Sequence, residues 1–124
     1  MAGELILIVE DNERNRRLAR DVLQATGYRT IEAETGEDGV RLAKEQKPAL
    51  ILMDIQLPGI DGITALGQLR ADEATRAIPI IAVTASAMAQ DKQKIIAAGF
   101  DGYQSKPINV REFLAAVGVA LRQK

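Results

Sequence analysis

The sequence predicts an α/β protein built on a doubly wound, five-stranded parallel sheet. Three short, unbroken apolar runs lie far apart along the chain, as is typical of parallel strands buried on both faces. A helix-length segment follows each strand candidate, and this alternation predicts right-handed crossovers with helices on both faces of the sheet. The 124 residues fit a single domain spanning 1–124.

The predicted strands differ in how clearly the sequence marks them. The three apolar runs, residues 5–9, 50–53 and 80–83, are the first, third and fourth strands. Two weaker candidates, residues 29–33 and 102–105, complete the set. Among doubly wound folds, five strands fit the flavodoxin-like (βα)5 arrangement, with strand order 2-1-3-4-5 and its switch point between strands 1 and 3.

Capping and stop residues mark the first two helices. Helix 1 is predicted over residues 12–26, with Gly27 as its C-terminal stop. Helix 2 is predicted to begin at Thr35, a residue suited to an N-cap, and to end before Pro48.

The remaining three helices follow the same logic. Helix 3 is predicted after Asp61, helix 4 over residues 87–98 with Gly99 as its stop, and helix 5 after the cap Asn109. The residues predicted to face the core are apolar and recur at helical spacing: Leu18, Val22 and Leu23 in helix 1; Ile63, Leu66 and Leu69 in helix 3; Val110, Phe113, Leu114, Val117 and Leu121 in helix 5.

Polar residues stand where four of the five predicted strands end. Glu10 and Asp11 follow strand 1, and Asp54 follows strand 3. Thr84 ends strand 4, and Lys106 follows strand 5. Open parallel sheets bind ligands at the carboxyl ends of their strands, next to the switch point. We therefore expect three acids, one hydroxyl and one amine to converge on one edge of the sheet.

The three acids predict a site for Mg²⁺. Carboxylates held close together repel one another unless a cation or protons compensate them, and Mg²⁺ prefers carboxylates, waters and phosphate oxygens. The chain has no cysteine and no histidine, so the ligands must be oxygens. Any one of these acids would equally fit helix capping or solvent exposure, and only the grouping favours a metal.

Asp54 is the best candidate for a nucleophile. Carboxylates attack phosphoryl groups to give aspartyl phosphates, and such transfer depends mostly on positioning and charge neutralisation. Lys106 and the backbone amides near Gln56 could neutralise charge, and Thr84 could donate a hydrogen bond. Taken alone, Thr84 equally fits a strand end and Lys106 a solvated surface. The bond between Lys106 and Pro107 is a candidate for the cis form.

Composition excludes several classes of function. The net charge of −1 predicts neither a nucleic-acid surface nor an anionic-membrane surface. No apolar run approaches a membrane span, and we expect no signal peptide before strand 1. We therefore expect a cytoplasmic protein. The chain contains neither of two glycine-rich phosphate-binding motifs, G-x-x-x-x-G-K-[ST] and G-x-G-x-x-G. The run Asp54-Ile55-Gln56 also lacks the second acid, two residues after the first, that is typical of haloacid-dehalogenase-type phosphatases.

Four sequence segments together resemble the CheY-like receiver domain of two-component response regulators. They are Ile8-Val9-Glu10-Asp11-Asn12, Met53-Asp54-Ile55-Gln56-Leu57-Pro58-Gly59-Ile60-Asp61-Gly62, Val83-Thr84-Ala85 and Tyr103-Gln104-Ser105-Lys106-Pro107. The resemblance covers essentially the whole chain. It is strongest to single-domain regulators of the DivK type and to receiver domains of hybrid histidine kinases, because of the run that begins at Val9 and ends at Asn15.

The resemblance implies a role for each of these positions. Asp54 matches the phosphoacceptor, Asp11 the direct carboxylate ligand of Mg²⁺, and Glu10 an acid that acts through water. The backbone carbonyl of Gln56 matches a further metal ligand. Thr84 and Lys106 match residues that contact the phosphoryl group, and Thr84 and Tyr103 match the pair that switches on activation. Gln56 and Ser86 match positions that tune dephosphorylation.

The resemblance also implies partners. A histidine kinase or a histidine phosphotransfer protein would exchange phosphate with Asp54, and self-catalysed phosphorylation and slow autodephosphorylation are the only expected catalysis. No output domain is expected after helix 5, so a downstream protein would bind the face formed by helix 4, strand 5 and helix 5. The candidate contacts on that face are Met88, Gln90, Lys92, Lys94 and Gln104, although each equally fits a solvated position.

Two alternatives remain open at this stage. The chain could be the receiver module of a hybrid histidine kinase, with Asp54 passing phosphate to a histidine phosphotransfer protein. Alternatively, it could be a phosphatase of small phosphomonoesters, which sustained turnover would reveal. The sequence does not distinguish a stand-alone regulator from an excised domain.

Overall fold

Strand and helix alternate strictly along the chain. A computed structural model describes residues 3–85 and 89–122, without the side chains of residues 89–91. Within these ranges, each helix is too short or too polar to cross a bilayer. The elements are β1 (Leu5–Val9), α1 (Glu13–Ala25), β2 (Arg29–Ala33), α2 (Gly36–Gln46), β3 (Leu50–Asp54), α3 (Gly62–Ala71), β4 (Ile80–Thr84), α4 (Ala89–Ala98), β5 (Gly102–Ser105) and α5 (Val110–Arg122).

The five strands form one parallel sheet in the order β2-β1-β3-β4-β5. This confirms the predicted doubly wound topology and its switch point between β1 and β3. Strands β3 and β4 each run one residue further than predicted, so that Asp54 pairs with Val83 and Thr84 with Ser105. Two predicted site residues therefore lie inside the hydrogen-bonded sheet, which fixes their backbones.

The core forms two aliphatic layers, one on each face of the sheet. Successive side chains of a strand point to opposite faces, so Leu7 and Ile51 pack into one layer while Ile6 and Leu52 pack into the other. Helices α2, α3 and α4 cover the first layer, and α1 and α5 cover the second. Phe113 is completely buried in the second layer, beneath the carboxyl ends of the strands.

Three residues predicted to face the core are exposed instead. Leu18 is 39% exposed, Ile63 38% and Val110 45%. In α1 and α3 the predicted Leu23, Leu66 and Leu69 are buried, but the buried stripes pass through Ala19 and Gly62 instead of the neighbouring Leu18 and Ile63. Val110 is the first residue of α5, and the buried residues of this helix begin at Phe113.

The predicted helix caps are confirmed where the structure describes them. The Thr35 side chain accepts a hydrogen bond from the Asp38 amide, and that of Asn109 accepts one from the Glu112 amide at 3.1 Å. The predicted start of helix 4 at residue 87 lies outside the described residues.

Gly62 lets α3 begin directly against the end of β3. Its amide donates to the carbonyl of Ile55 at 2.9 Å. A Cβ atom at this position would overlap the carbonyl oxygen of Asp54 and lie 2.9 Å from the Cα of Ile55. Because both obstacles are backbone atoms at the end of a buried strand, neither can move without displacing Asp54.

Gly62→Ala should therefore lower the free energy of unfolding by about 2 kcal/mol, the usual range for overpacking. Gly67→Ala is the matched control in the same helix, because a Cβ there meets nothing within 4 Å. It should raise stability by about 0.5–1 kcal/mol, since alanine favours helix over glycine. Urea unfolding measures both variants, and equal effects would contradict the close approach at Gly62.

Asp61 gives the stability of α3 a defined dependence on pH. Its side chain caps the helix by accepting from the Thr64 amide at 2.8 Å, and this bond holds the carboxyl pKa below its ordinary value of 3.8. A lowered folded-state pKa means stabilisation that is complete above the unfolded-state pKa and is lost as pH falls through the folded-state pKa.

We expect Asp61→Ala to cost about 1 kcal/mol at neutral pH, as loss of an N-cap does. Asp61→Asn, which keeps an acceptor but no charge, should cost less. The difference in the free energy of unfolding between wild type and Asp61→Asn should decrease as pH is lowered below 3.8, because Asp61 then loses its charge. Urea unfolding across this pH range provides the measurement, and a difference independent of pH would rule out the charged cap.

Candidate functional site

An ammonium group between two buried carboxylates forms the centre of the predicted site. The Lys106 Nζ atom lies 2.7 Å from Glu10 Oε1 and 3.2 Å from Asp54 Oδ2. Glu10 and Asp54 are 5% and 4% exposed. The carboxyl ends of β1 and β3 therefore meet the end of β5 across Thr84, which is buried at the end of β4.

The backbone directs the Lys106 side chain into this cluster. The Lys106 amide donates to the carbonyl of Thr84 at 2.7 Å, which continues the pairing of β5 with β4 by one residue. The Lys106–Pro107 peptide bond is cis, as the sequence suggested. The chain then turns away from the sheet towards α5, with the Lys106 side chain 15% exposed.

Asp54 is held by a different partner at each carboxylate oxygen. Oδ1 accepts from the backbone amide of Gln56 at 3.2 Å, and Oδ2 accepts from Lys106. The strand fixes the Asp54 backbone and these two donors fix its side chain. Both carboxylate oxygens of Asp54 are therefore held in one orientation, as expected for a side chain whose position matters to a functional site.

Burial makes the Glu10 carboxyl group easier to protonate. Burial, followed by the contact with Asp54, raises the pKa of its carboxyl group from 4.5 to about 7. Opposing contributions come from Lys106 and from the Asn12 amide, which donates to Oε2 at 3.2 Å. For Lys106, burial alone would lower the pKa, but bonding to Glu10 and the charge of Asp54 outweigh it and raise the pKa. Lys106 thus only partly offsets the effect of burial on the Glu10 carboxyl group.

The acids have the composition and spacing of a hard-cation site. Carboxylate oxygens of Glu10, Asp11 and Asp54 lie within 4.8 Å of one another. Asp11 is exposed whereas the other two acids are buried, so the group opens towards solvent. Oxygen donors and surplus negative charge fit Mg²⁺. Gln56 is exposed in the loop after β3, and the role of its carbonyl stays a prediction.

Glu37 attaches this loop to α2, which sequence reasoning missed. Its Oε2 atom accepts from the Ile60 amide at 3.3 Å. Gly59 has a φ of +75°, and a Cβ there would lie 2.6 Å from the Glu37 carboxylate. Glu37 sits in the first turn of α2, where acids are common at helix N-termini, so the sequence alone gave no reason to assign it to the site.

The predicted switch residues are only partly described. Tyr103 is half-buried on β5, in register with Ala82, and the Lys92 Nζ atom lies 5.7 Å from the centre of its ring. This is within the range of a cation–π contact. Ser86 lies outside the described residues.

The space behind the carboxylates is too small for an organic substrate. A cavity of about 10 Å³ is lined by Glu10, Asn15 and Asp54 and closed by apolar residues that include Val83 and Phe113. That volume is about the size of one water molecule. A larger group would therefore have to approach Asp54 from the exposed side of the cluster, where Asp11 lies.

Removing Lys106 should destabilise the protein more than removing Asp54. Lys106→Met leaves two buried carboxylates without their cation, which should cost about 3 kcal/mol. Asp54→Ala leaves Lys106 paired with Glu10 and removes one negative charge, so stability should be unchanged or higher. Urea unfolding in chelating buffer tests both variants. A loss above about 2 kcal/mol for Asp54→Ala, the range of a core defect, would make Asp54 structural.

Comparison with known proteins places this geometry in a family. The model of the response regulator receiver domain matches residues 6–118. The polar-differentiation response regulator DivK of Brucella ovis is 47% identical over 112 residues, which cover 90% of this chain and 91% of that protein. DivK of Brucella anthropi is 46% identical over the same length.

Solved structures agree. The receiver domain of a sensor histidine kinase from Pseudomonas aeruginosa has a TM-score of 0.90 and 37% identity, covering 98% of this chain and 99% of that domain. That structure holds a magnesium ion in its active-site cleft. A CheY-like receiver domain protein from Methanospirillum hungatei has a TM-score of 0.86 and 28% identity, covering 98% and 96% of the two chains. The chain therefore belongs to the response regulator receiver family of two-component signalling proteins.

Proposed function

We propose that this chain is a phosphoacceptor switch in which Asp54 receives a phosphoryl group from a phosphohistidine of a histidine kinase. The observation that carries the proposal is the arrangement of Asp54: a strand fixes its backbone, Gln56 and Lys106 orient its two oxygens, and Asp11 lies on its open side. Phosphoryl transfer requires positioning and charge neutralisation of this kind.

The proposed reaction moves one phosphoryl group from a nitrogen atom to an oxygen atom. A carboxylate oxygen of Asp54 forms a bond to phosphorus as the phosphorus–nitrogen bond of the phosphohistidine breaks. The imidazole, protonated at its other ring nitrogen, leaves as a neutral ring with the bonding electron pair, and Asp54 becomes an acyl phosphate. Lys106 then exchanges a carboxylate partner for a phosphoryl oxygen, and Thr84 donates to another. Water later attacks the acyl phosphate and releases inorganic phosphate, which restores the carboxylate, and we expect this self-catalysed hydrolysis to be slow.

Mg²⁺ would be held by Asp11, Asp54 and the Gln56 carbonyl, with Glu10 acting through water. When bound, it supplies charge neutralisation for the phosphoryl oxygens. The surplus negative charge and the open side of the cluster support this assignment. The magnesium ion in the cleft of the Pseudomonas receiver domain supports it by similarity.

The proposed switch links Asp54 to Tyr103 through Thr84. Inward movement of Thr84 towards a phosphoryl group leaves space behind it, and Tyr103 on the neighbouring strand can turn into that space. Phosphorylation would then bias two arrangements of α4 and β5. Gln56 and Ser86 would tune the lifetime of the acyl phosphate.

The proposed output is binding of a downstream protein to the face formed by α4, β5 and α5. Lys92 and Lys94 are exposed on α4, and Gln104 is half-buried on β5. Ile96, 46% exposed, adds an apolar element to the same face. Met88 and the side chain of Gln90, which were also predicted here, lie outside the described residues. We place these events in the cytoplasm, with no nucleic-acid or membrane partner.

One alternative is supported by a specific similarity. The Pseudomonas relative is the receiver domain of a sensor histidine kinase, so Asp54 could instead pass its phosphate to a histidine phosphotransfer protein. The phosphatase alternative is less well supported, because the chain belongs to a family of signalling proteins. Phosphotransfer profiling against the histidine kinases and phosphotransfer proteins of the source cell separates the first two.

Acetyl phosphate with Mg²⁺ should add one phosphoryl mass to the wild-type protein, as intact-mass spectrometry would show. Asp54→Asn should remain unmodified, because its amide is a poor nucleophile. Excess chelator should abolish labelling of the wild type while its circular dichroism spectrum stays unchanged. Normal labelling of Asp54→Asn would overturn the assignment of the phosphoacceptor, and labelling in chelator would overturn the metal site.

A further inference from the structure

Arg16 connects the first metal-binding loop to the neighbouring strand. It lies in the first turns of α1, and its side chain is 14% exposed. Its Nη1 atom donates to the backbone carbonyl of Glu10 at 3.0 Å. Its Nε atom donates to Glu32 Oε1 in β2, also at 3.0 Å. One guanidinium thus bridges the carboxyl ends of β1 and β2.

The bridged carbonyl controls where Asp11 lies. The Glu10 carbonyl and the Asp11 amide belong to one planar peptide unit, so fixing the carbonyl direction fixes the direction in which Asp11 leaves the strand. The preceding peptide is also anchored to β2, because the Glu10 amide donates to the Ala33 carbonyl at 3.0 Å. Arg16 therefore completes the attachment of the turn between Glu10 and Asp11 to β2.

The positive charge of Arg16 is compensated away from the acids of the site. Glu32 is 27% exposed and accepts from Arg16 through one oxygen and from Arg20 through the other, at 3.3 Å. Glu34 adds a weaker pairing with Arg16, at 3.9 Å. The guanidinium is thus neutralised by carboxylates of β2 and its flank, and its Nη1 atom also donates to the Glu10 carbonyl.

We propose that Arg16 is a positioning residue for the metal site, which it serves by holding the peptide between Glu10 and Asp11 so that Asp11 faces the cation. This inference rests on the proposed function, because it assumes that Asp11 is a ligand of Mg²⁺. Arg16 does not touch the cation itself. Its role is that of a residue that orients a ligand, comparable to the hydrogen-bonding partners that surround metal-binding side chains.

The chain offers a matched control. Arg20 pairs with the same Glu32 carboxylate as Arg16, but the structure gives it no bond to Glu10. Arg16→Met and Arg20→Met each remove one guanidinium from Glu32, and only the first removes the bond to the Glu10 carbonyl. Arg16→Lys keeps the charge but lacks the planar fork that reaches two acceptors at once.

The first measurement uses metal-free protein. Amide ¹⁵N spectra should show a displaced Asp11 resonance in Arg16→Met and in Arg16→Lys, and an unchanged one in Arg20→Met. The second measurement titrates Mg²⁺ alone into each protein and follows the same amide. Arg16→Met should bind Mg²⁺ about tenfold more weakly than wild type, as expected for loss of an orienting partner, and Arg20→Met should bind as wild type does.

The two proposals fail in different ways. If wild-type protein shows no response to Mg²⁺, the metal site of the proposed function is wrong. If wild type responds and Arg16→Met binds Mg²⁺ as tightly as Arg20→Met does, the positioning role of Arg16 is wrong. Arg16→Lys repeats the comparison if Arg16→Met does not fold, and wild-type affinity in that variant would equally overturn the proposal.

Discussion

The site depends on one shared cation: the ammonium of Lys106, which lies between the carboxylates of Glu10 and Asp54. Two buried acids at neighbouring strand ends would otherwise repel each other at high cost. Lys106 lowers that cost but does not remove it, and the pKa of Glu10 stays raised to about 7. Three clustered carboxylates against one ammonium leave a surplus of negative charge that a divalent cation can balance. The folded protein thus holds the negative charges that would bind Mg²⁺ for the proposed phosphoryl transfer.

The rest of the fold holds these charges at fixed distances. The hydrogen-bonded sheet includes Asp54 itself, and Gly62 allows α3 to begin against the last peptide of β3. Glu37 attaches the loop after β3 to α2, and Arg16 attaches the loop after β1 to β2. The loops that carry the proposed metal ligands are thus each tied to an adjacent element, which is how a scaffold limits the mobility of a functional loop.

The sequence predicts most of the fold and the centre of the site for a physical reason. Parallel strands share a carboxyl edge, so residues that end apolar runs, such as Asp54 and Thr84, must meet there once the strand order is known. The contacts of Arg16 and Glu37 could not be predicted. Each residue bonds to an element that is distant in sequence, and only the folded structure brings the two together. Ile63 was predicted to be buried but is exposed. Helical spacing shows that an apolar stripe exists, but it does not fix which residues at the edge of the stripe contact the sheet.

The central claim is that Asp54, the other acids and Lys106 form one site for a phosphoryl group and a metal ion together. Calorimetric titration of Mg²⁺ in the presence and absence of beryllofluoride, a phosphoryl mimic, tests it directly. Binding of the two ligands must be reciprocal if they share the site. We expect beryllofluoride to tighten Mg²⁺ binding to the wild type and to leave that of Asp54→Ala unchanged. Equal Mg²⁺ affinity with and without the mimic in wild-type protein would contradict the account.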